Sequence, residues 1–211
     1  MKRALLFLFV LLTACAPSPT TSLADPPPVV SVSSSPAAEP WLEDVYACGA
    51  EISAVIRLSV SQSAADLRLR LGEPETLDAP AFQIGMEDLL VVTHPQSALG
   101  ELTADEVRRL FAEGGENVEV WVYASSADIQ EIFTREVMQG TQITSRARLA
   151  LHPEQMLESL KNDNRAVGIL PRRWLREPLR TIFSLSDAPV LALTAAEPQG
   201  AVRELIACLQ K

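Results

Sequence analysis

Two short serine clusters are the residues in this chain whose type and position could do chemistry. Val29-Val30-Ser31-Val32 runs into Ser33-Ser34-Ser35-Pro36, and Glu119-Val120-Trp121-Val122-Tyr123 runs into Ala124-Ser125-Ser126-Ala127-Asp128. Each is a strand-like apolar run, then hydroxyls, then residues at helical spacing. A serine at such a junction can cap the helix, its side-chain oxygen accepting an orphan N–H of the first turn. The same junction presents free N–H groups and the positive end of a helix dipole, which suit an anion. The residues alone leave capping and ligand contact both open. Two such junctions facing each other could grip one small anion or polar solute.

Other chemistry is thinly supplied. His94 and His152 are the only histidines, and no Cys/His spacing resembles a metal site. The chain has no Ser/His/Asp motif and no Gly-rich phosphate loop with a lysine. Asp66, Glu73 and Asp128 could be grouped as carboxylates, but a solvated strand end and a helix's first turn account for them. Arg135, Arg172 and Arg173 are further anion candidates, with solvated charge as the plainer reading. Binding without catalysis, metal or cofactor is expected.

The elements that must position the serines alternate between strand and helix. Ala54–Val60 and Asp66–Leu71 alternate polar and apolar residues, so each predicts a strand with one wet face. Leu89–Thr93 is continuously apolar, as a strand buried on both faces requires. Thr103 and Glu106 make a capping box, with Leu102 and Val107 as its hydrophobic staple and Gly114-Gly115 as the stop. Helices are also predicted around Trp41–Cys48, over Asp128–Val137, from Pro153 and over Pro198–Leu209. Short strands are predicted at Ala166–Pro171, Thr181–Leu185 and Pro189–Thr194. This order predicts an α/β protein with largely parallel sheets.

The amino terminus points to export. Met1-Lys2-Arg3, the apolar run Ala4–Leu12 and the small residues before Cys15 form a signal segment, too short to span a bilayer as a helix. Leu12-Thr13-Ala14-Cys15 resembles the lipobox of bacterial lipoproteins. That resemblance implies a signal peptide over 1–14, diacylglycerol on the Cys15 thiol and an acyl group such as palmitate on its amine. Two or more chains suffice for stable anchoring. Residues 15–28 then form a Pro/Ser/Thr tether. Without Lys2 and Arg3, 16 basic side chains face 27 acidic ones, a net charge near −11 that argues against nucleic acid and anionic lipid as partners. In an oxidising compartment Cys48 and Cys208 are expected to pair as a disulfide between the first and last helices; two separately buried thiols are the alternative.

The order and wording of residues 29–211 resemble the type 2 periplasmic solute-binding proteins, most closely the phosphate-binding branch of ABC import systems. Leu89–Pro95 followed by Leu102-Thr103 and Leu110-Phe111 is similar to that family's crossover strand and "L-T…I-F" helix. Ala166–Pro171 is similar to its "A-I-G-Y" strand. Val32–Ser35 resembles its first Gly-Ser loop, and Glu119–Phe133 the strand and helix that carry half of the anion site. The resemblance implies two lobes with ligand in the cleft: lobe 1 about 29–84 plus 185–211, reduced in size, and lobe 2 about 89–179. It implies ligand contacts at Ser33, Ser34, Ser35, Ser125 and Ser126, with the acidic partner of hydrogen phosphate near Gly72-Glu73, hence Glu73. Phosphate binders carry Ser-Gly-Thr at the second loop with an Arg just before it, whereas this chain has Ser125-Ser126-Ala127 and no such Arg. The expected function is that of a lipid-anchored extracytoplasmic binding lipoprotein for a small anion or polar solute, partnered by an ABC permease. The alternative is a degenerate solute-binding fold serving as an interaction or sensing module at the envelope.

Overall fold

Leu67, Leu69 and Leu71 are buried while Arg68 and Arg70 between them are half-exposed. The alternation seen in the sequence therefore makes a strand with two unlike faces. In the computed structural model, which describes residues 26–211, this strand (β3, Leu67–Leu71) lies inside one sheet. The other strands are Val29–Ser34 (β1), Val55–Leu58 (β2), Ala81–Thr93 (β4), Glu119–Val122 (β5), Arg148–Leu149 (β6), Ala166–Pro171 (β7) and Arg180–Leu193 (β8). The helices are Leu42–Glu51 (α1), Ala104–Glu113 (α2), Asp128–Phe133 (α3), Pro153–Asn162 (α4) and Gly200–Leu209 (α5). Cys15, residues 1–14 and most of the tether lie outside the described residues.

The strand order is β2-β1-β3-β8-β4-β7-β5-β6. Both flanks are parallel: β1 pairs with β2 and β3, and β5 pairs with β6 and β7. The centre is antiparallel, with β8 against β3 and β4, and β4 against β7. Strands β4 and β8, 13 and 14 residues long, run through both halves of the sheet. Residues Leu89–Thr93 of β4 pair with β7 in the second half, while Val190–Leu193 of β8 pair with β3 in the first. The α/β class expected from the sequence is present; the largely parallel sheets expected of it form two parallel flanks, joined through an antiparallel centre into one sheet.

Two expectations about strand length are corrected. Thr181–Leu185 and Pro189–Thr194 are not separate strands but parts of β8. The break that Asp187-Ala188-Pro189 suggests is absorbed as an irregularity: Asp187 has φ 72° and the β4–β8 register shifts between Glu87 and Leu89. Such a bulge bends a strand without ending it. Strand β4 begins at Ala81, well before its apolar run, because β8 pairs with it along that whole length.

The helices follow their caps. Thr103 and Glu106 form the reciprocal capping box of α2, and Gly114 with φ 76° ends it. Phe111 of α2 packs its ring 4.7 Å from that of Phe133. The expected disulfide joins Cys48 on α1 to Cys208 on α5, with Cα atoms 5.8 Å apart.

Candidate functional site

The register of β1, β3 and β8 sets a row of three residues. Ser33 stands opposite Arg68, and Arg68 opposite Leu193. Residues in register on neighbouring strands share a face. All three line a cavity of about 220 Å³, closed on the far side by Tyr123 and residues 126–129 around the start of α3 and by Leu151, His152 and Pro153 at the start of α4. The cavity thus lies between the two halves of the sheet.

Two groups in this row are unpaired among the described residues. The Ser33 side chain is buried, 3 % exposed, and its Oγ has no hydrogen-bond partner. Buried polar atoms are nearly always bonded, so this hydroxyl is an exception; its oxygen has almost no accessible surface, so it is closed off from the cavity that other atoms of Ser33 help to line. The Arg68 guanidinium makes no hydrogen bond or ion pair, whereas its neighbour Arg70 pairs with Glu131 at 2.8 Å.

Across the gap the two halves are tied by Asp128, which is 7 % exposed. Its Oδ2 accepts the Ser35 hydroxyl at 2.5 Å and the Leu71 N–H at 2.8 Å. Its Oδ1 accepts the Ile129 N–H at 2.8 Å. Glycine is needed next to this tie: Gly72 has φ +65°, and a Cβ there would lie 2.7 Å from Ile132 Cγ1. The start of α3 is thereby seated on the end of β3 by a carboxylate, an ion pair and a close apolar contact.

Of the serines singled out in the sequence, Ser33, Ser35 and Ser126 line the cavity, while Ser34 and Ser125 do not. Ser35 does both things open to it. Its oxygen accepts the Ala38 N–H at 3.3 Å, capping the short 3₁₀ turn Pro36–Trp41, and its proton goes to Asp128. Ser34 donates to the Ser35 carbonyl at 2.8 Å. Capping of α3 by Ser125 or Ser126 is corrected. Both are exposed, and Ala127 holds the cap position without any side-chain bond. Asp128 itself takes the first-turn N–H that a serine was expected to take.

Glu73 is exposed and outside the cavity lining. Arg135 pairs with Glu136, Arg172 with Asp88, and Arg173 with Asp44 while lying 3.6 Å over the Trp41 ring; none of them reaches the cavity. Arg68 and Asp128 were the residues hardest to assign. Arg68 reads as ordinary wet-face charge on an alternating strand, and only the β1–β3 register places it beside Ser33.

The far wall is chemically quiet. Burial, then the negative charges of Glu154 and Asp128, hold the Tyr123 phenol well above its ordinary range, so it stays protonated. Its hydroxyl donates to the Ile169 carbonyl at 2.9 Å. His152 caps α4, its Nδ1 accepting the Gln155 N–H at 3.3 Å. Among the described residues no group of three or more His, Cys, Asp or Glu could hold a metal. The arrangement can bind a small solute.

Solved structures share this architecture. A protein from Clostridium perfringens assigned as a phosphate ABC transporter substrate-binding protein, with phosphate bound, superposes with a TM-score of 0.75 at 11% identity, over 86% of this chain and 92% of that one. An ABC-type phosphate transport receptor from Vibrio cholerae gives 0.62 at 14% identity, over 86% and 93%. The effector domain of the transcriptional regulator AmpR from Pseudomonas aeruginosa gives 0.62 at 16% identity, over 87% and 94%. No protein-family model matches the sequence, and no curated protein matches it at a significant level. The fold is that of the type 2 periplasmic binding proteins, which transport receptors and transcriptional regulators both use.

Proposed function

We propose that this chain is an exported, lipid-anchored binding protein that takes a small anionic or polar solute into the cavity between its two lobes. The observation that carries the proposal is the cavity between the halves of the sheet, lined by Ser35, Ser126 and Arg68, whose guanidinium has no partner among the described residues. The proposed role is binding without catalysis. Export is supported by the signal segment ending at Cys15 and by the Cys48–Cys208 disulfide, a bond at home in an oxidising compartment. Service with an ABC permease is supported by the likeness to two phosphate transport receptors. Lobe closure on a ligand would follow the hinge motion usual for two-lobed binding proteins.

One observation favours the second reading, an envelope sensing or interaction module. Asp128 already bridges the lobes through Ser35 and Leu71, a task that a bound anion could otherwise perform. The likeness to the AmpR effector domain fits that reading equally well.

A thermal-shift panel of phosphate, sulfate, molybdate and organic anions on the mature chain carrying Cys15→Ser tests the binding role. A ligand at a hundred times its dissociation constant adds about 2.7 kcal/mol of stability, and Ser126→Ala with Arg68→Met should abolish the shift. No shift with any solute would sink the proposal in favour of the sensing module. In cells, Cys15→Ser should move the protein from the membrane to the soluble exported fraction.

A further inference from the structure

The last residues of β5 lead toward the central cavity, and its first, Glu119, lies at a separate concave site of about 260 Å³ that shares no lining residue with that cavity. Three arginines, Arg146, Arg148 and Arg165, line this site, with Glu119 as the one acidic residue in the lining. Strand pairing gathers them. The Glu119 N–H donates to the Arg165 carbonyl at 2.9 Å, which sets Arg165 beside β5 on its β7 side. On the other side β6 pairs Arg148 with Trp121. The Arg148 side chain reaches back to Glu119 Oε1 at 2.6 Å and lies 5.6 Å over the Trp121 ring.

Each guanidinium is held by a group that leaves most of its donors free. Arg146 gives an N–H to the Glu113 carbonyl at 2.8 Å and packs on Gly114, where a Cβ would lie 3.1 Å from its Nη2. Arg165 is fixed by Asp163, which stands outside the lining and puts both oxygens on it, at 3.2 and 3.0 Å. Hydrogen bonds from Arg165 hold the Asp163 carboxyl below its ordinary range, and the charges of Arg165 and Arg148 add to the effect. Glu119 is likewise spent, since Oε1 takes Arg148 and Oε2 accepts the Trp121 indole N–H at 3.3 Å. A guanidinium carries five N–H donors. No more than two are used on any of these arginines, which leaves at least three on each.

The charge balance sets the class of ligand. Three arginines meet one glutamate in the lining, and Asp163 behind Arg165 still leaves the site positive, in a chain with 27 acidic against 18 basic side chains. Guanidinium forks grip phosphoryl and carboxylate oxygens through paired N–H···O bonds. A lone carboxylate occupies one fork, whereas an ion with several charged oxygens can engage more than one and neutralise the excess. Room is sufficient, since a cavity of roughly 150 Å³ already accepts a molecule as large as benzene.

We propose that this concavity, at the end of β5 away from the central cavity, is a separate anion site that takes a small, multiply charged oxyanion of the phosphoryl or polycarboxylate kind on Arg146, Arg148 and Arg165. It stands independently of the solute-binding reading above.

Isothermal titration of pyrophosphate, citrate and acetate into the mature chain carrying Cys15→Ser tests it. Pyrophosphate, citrate or both should bind saturably, and acetate about tenfold or more weakly. Raising the salt from roughly 0.02 to 0.5 M should weaken the binding about tenfold or more, because exposed charges are screened. Arg146→Met with Arg165→Met should weaken it about 10- to 100-fold, the loss of two charge-assisted contacts; Arg148 is kept because it steadies Glu119 between β5 and β6. Arg146→Met alone, with a loss of about threefold or more, serves if the double variant folds poorly. Absence of binding by both multiply charged ions overturns the inference. So does acetate binding as tight as theirs, or binding that the substitutions leave unchanged.

Discussion

Asp128 ties the two halves of the sheet through a single side chain. Its carboxylate accepts three hydrogen bonds, from Ser35, Leu71 and Ile129, while being 7 % exposed. A buried carboxylate is costly unless its lone pairs are used, and here three of about four are. Asp128→Ala would leave the buried Leu71 N–H without a partner and free the Ser35 hydroxyl. The expected cost is about 1–3 kcal/mol, read from the urea midpoint. Asp128→Asn keeps an acceptor and should cost less. In a double-mutant cycle with Ser35→Ala the two substitutions should fail to add, because they remove one shared bond. A loss for Asp128→Ala within roughly 0.5 kcal/mol, as for an ordinary surface position, would show that the tie between the lobes is not formed in solution.

At the level of elements, the sequence is readable where local chemistry decides and opaque where pairing decides. Helix α2 was legible in full, because Thr103, Glu106 and Gly114 each act on backbone groups within a turn of themselves. The start of α3 was not, since Asp128 competes with Ser125 and Ser126 for the same N–H and wins by also reaching β3. The continuity of β8 was hidden by Asp187-Ala188-Pro189, residue types that break strands unless a long neighbour holds them. Half of the candidate site was visible: Ser33 and Ser35 announce themselves at a strand end, while Arg68 becomes a site residue only through the β1–β3 register. Strand β4 carries a further constraint of this kind at Gly85. A Cβ there would lie 2.2 Å from Trp41 Cη2, and the ring cannot slide away freely because its Nε1–H donates to buried Glu87 at 2.9 Å. Gly85→Ala should therefore destabilise the protein by about 1–3 kcal/mol, as overpacking does. An unchanged unfolding midpoint would mean that the Trp41–Glu87 contact is not fixed.

On the scale of the whole molecule, the chain leaves its first half after β3, builds the second half, and returns along β8. The first half is therefore made from the two ends of the sequence, and nothing in the local chain order holds α5 in place. Cys48 and Cys208, 160 residues apart, close that loop covalently. A cross-link over so long a loop restricts the unfolded chain strongly, and removing such a bond from a secreted domain typically costs about 2–5 kcal/mol. For a domain of this size each kcal/mol lowers the melting temperature by roughly 2–4 °C. Cys48→Ala with Cys208→Ala, or reduction of the wild type, should thus lower it by roughly 4–20 °C. Location matters as much as size. Hydrogen exchange should quicken in α1, α5 and β1–β3, which share the cross-linked half, and change little in β5–β7. Equal quickening in both halves would show that the two lobes unfold as one unit and that the disulfide steadies the sheet through β4 and β8 instead.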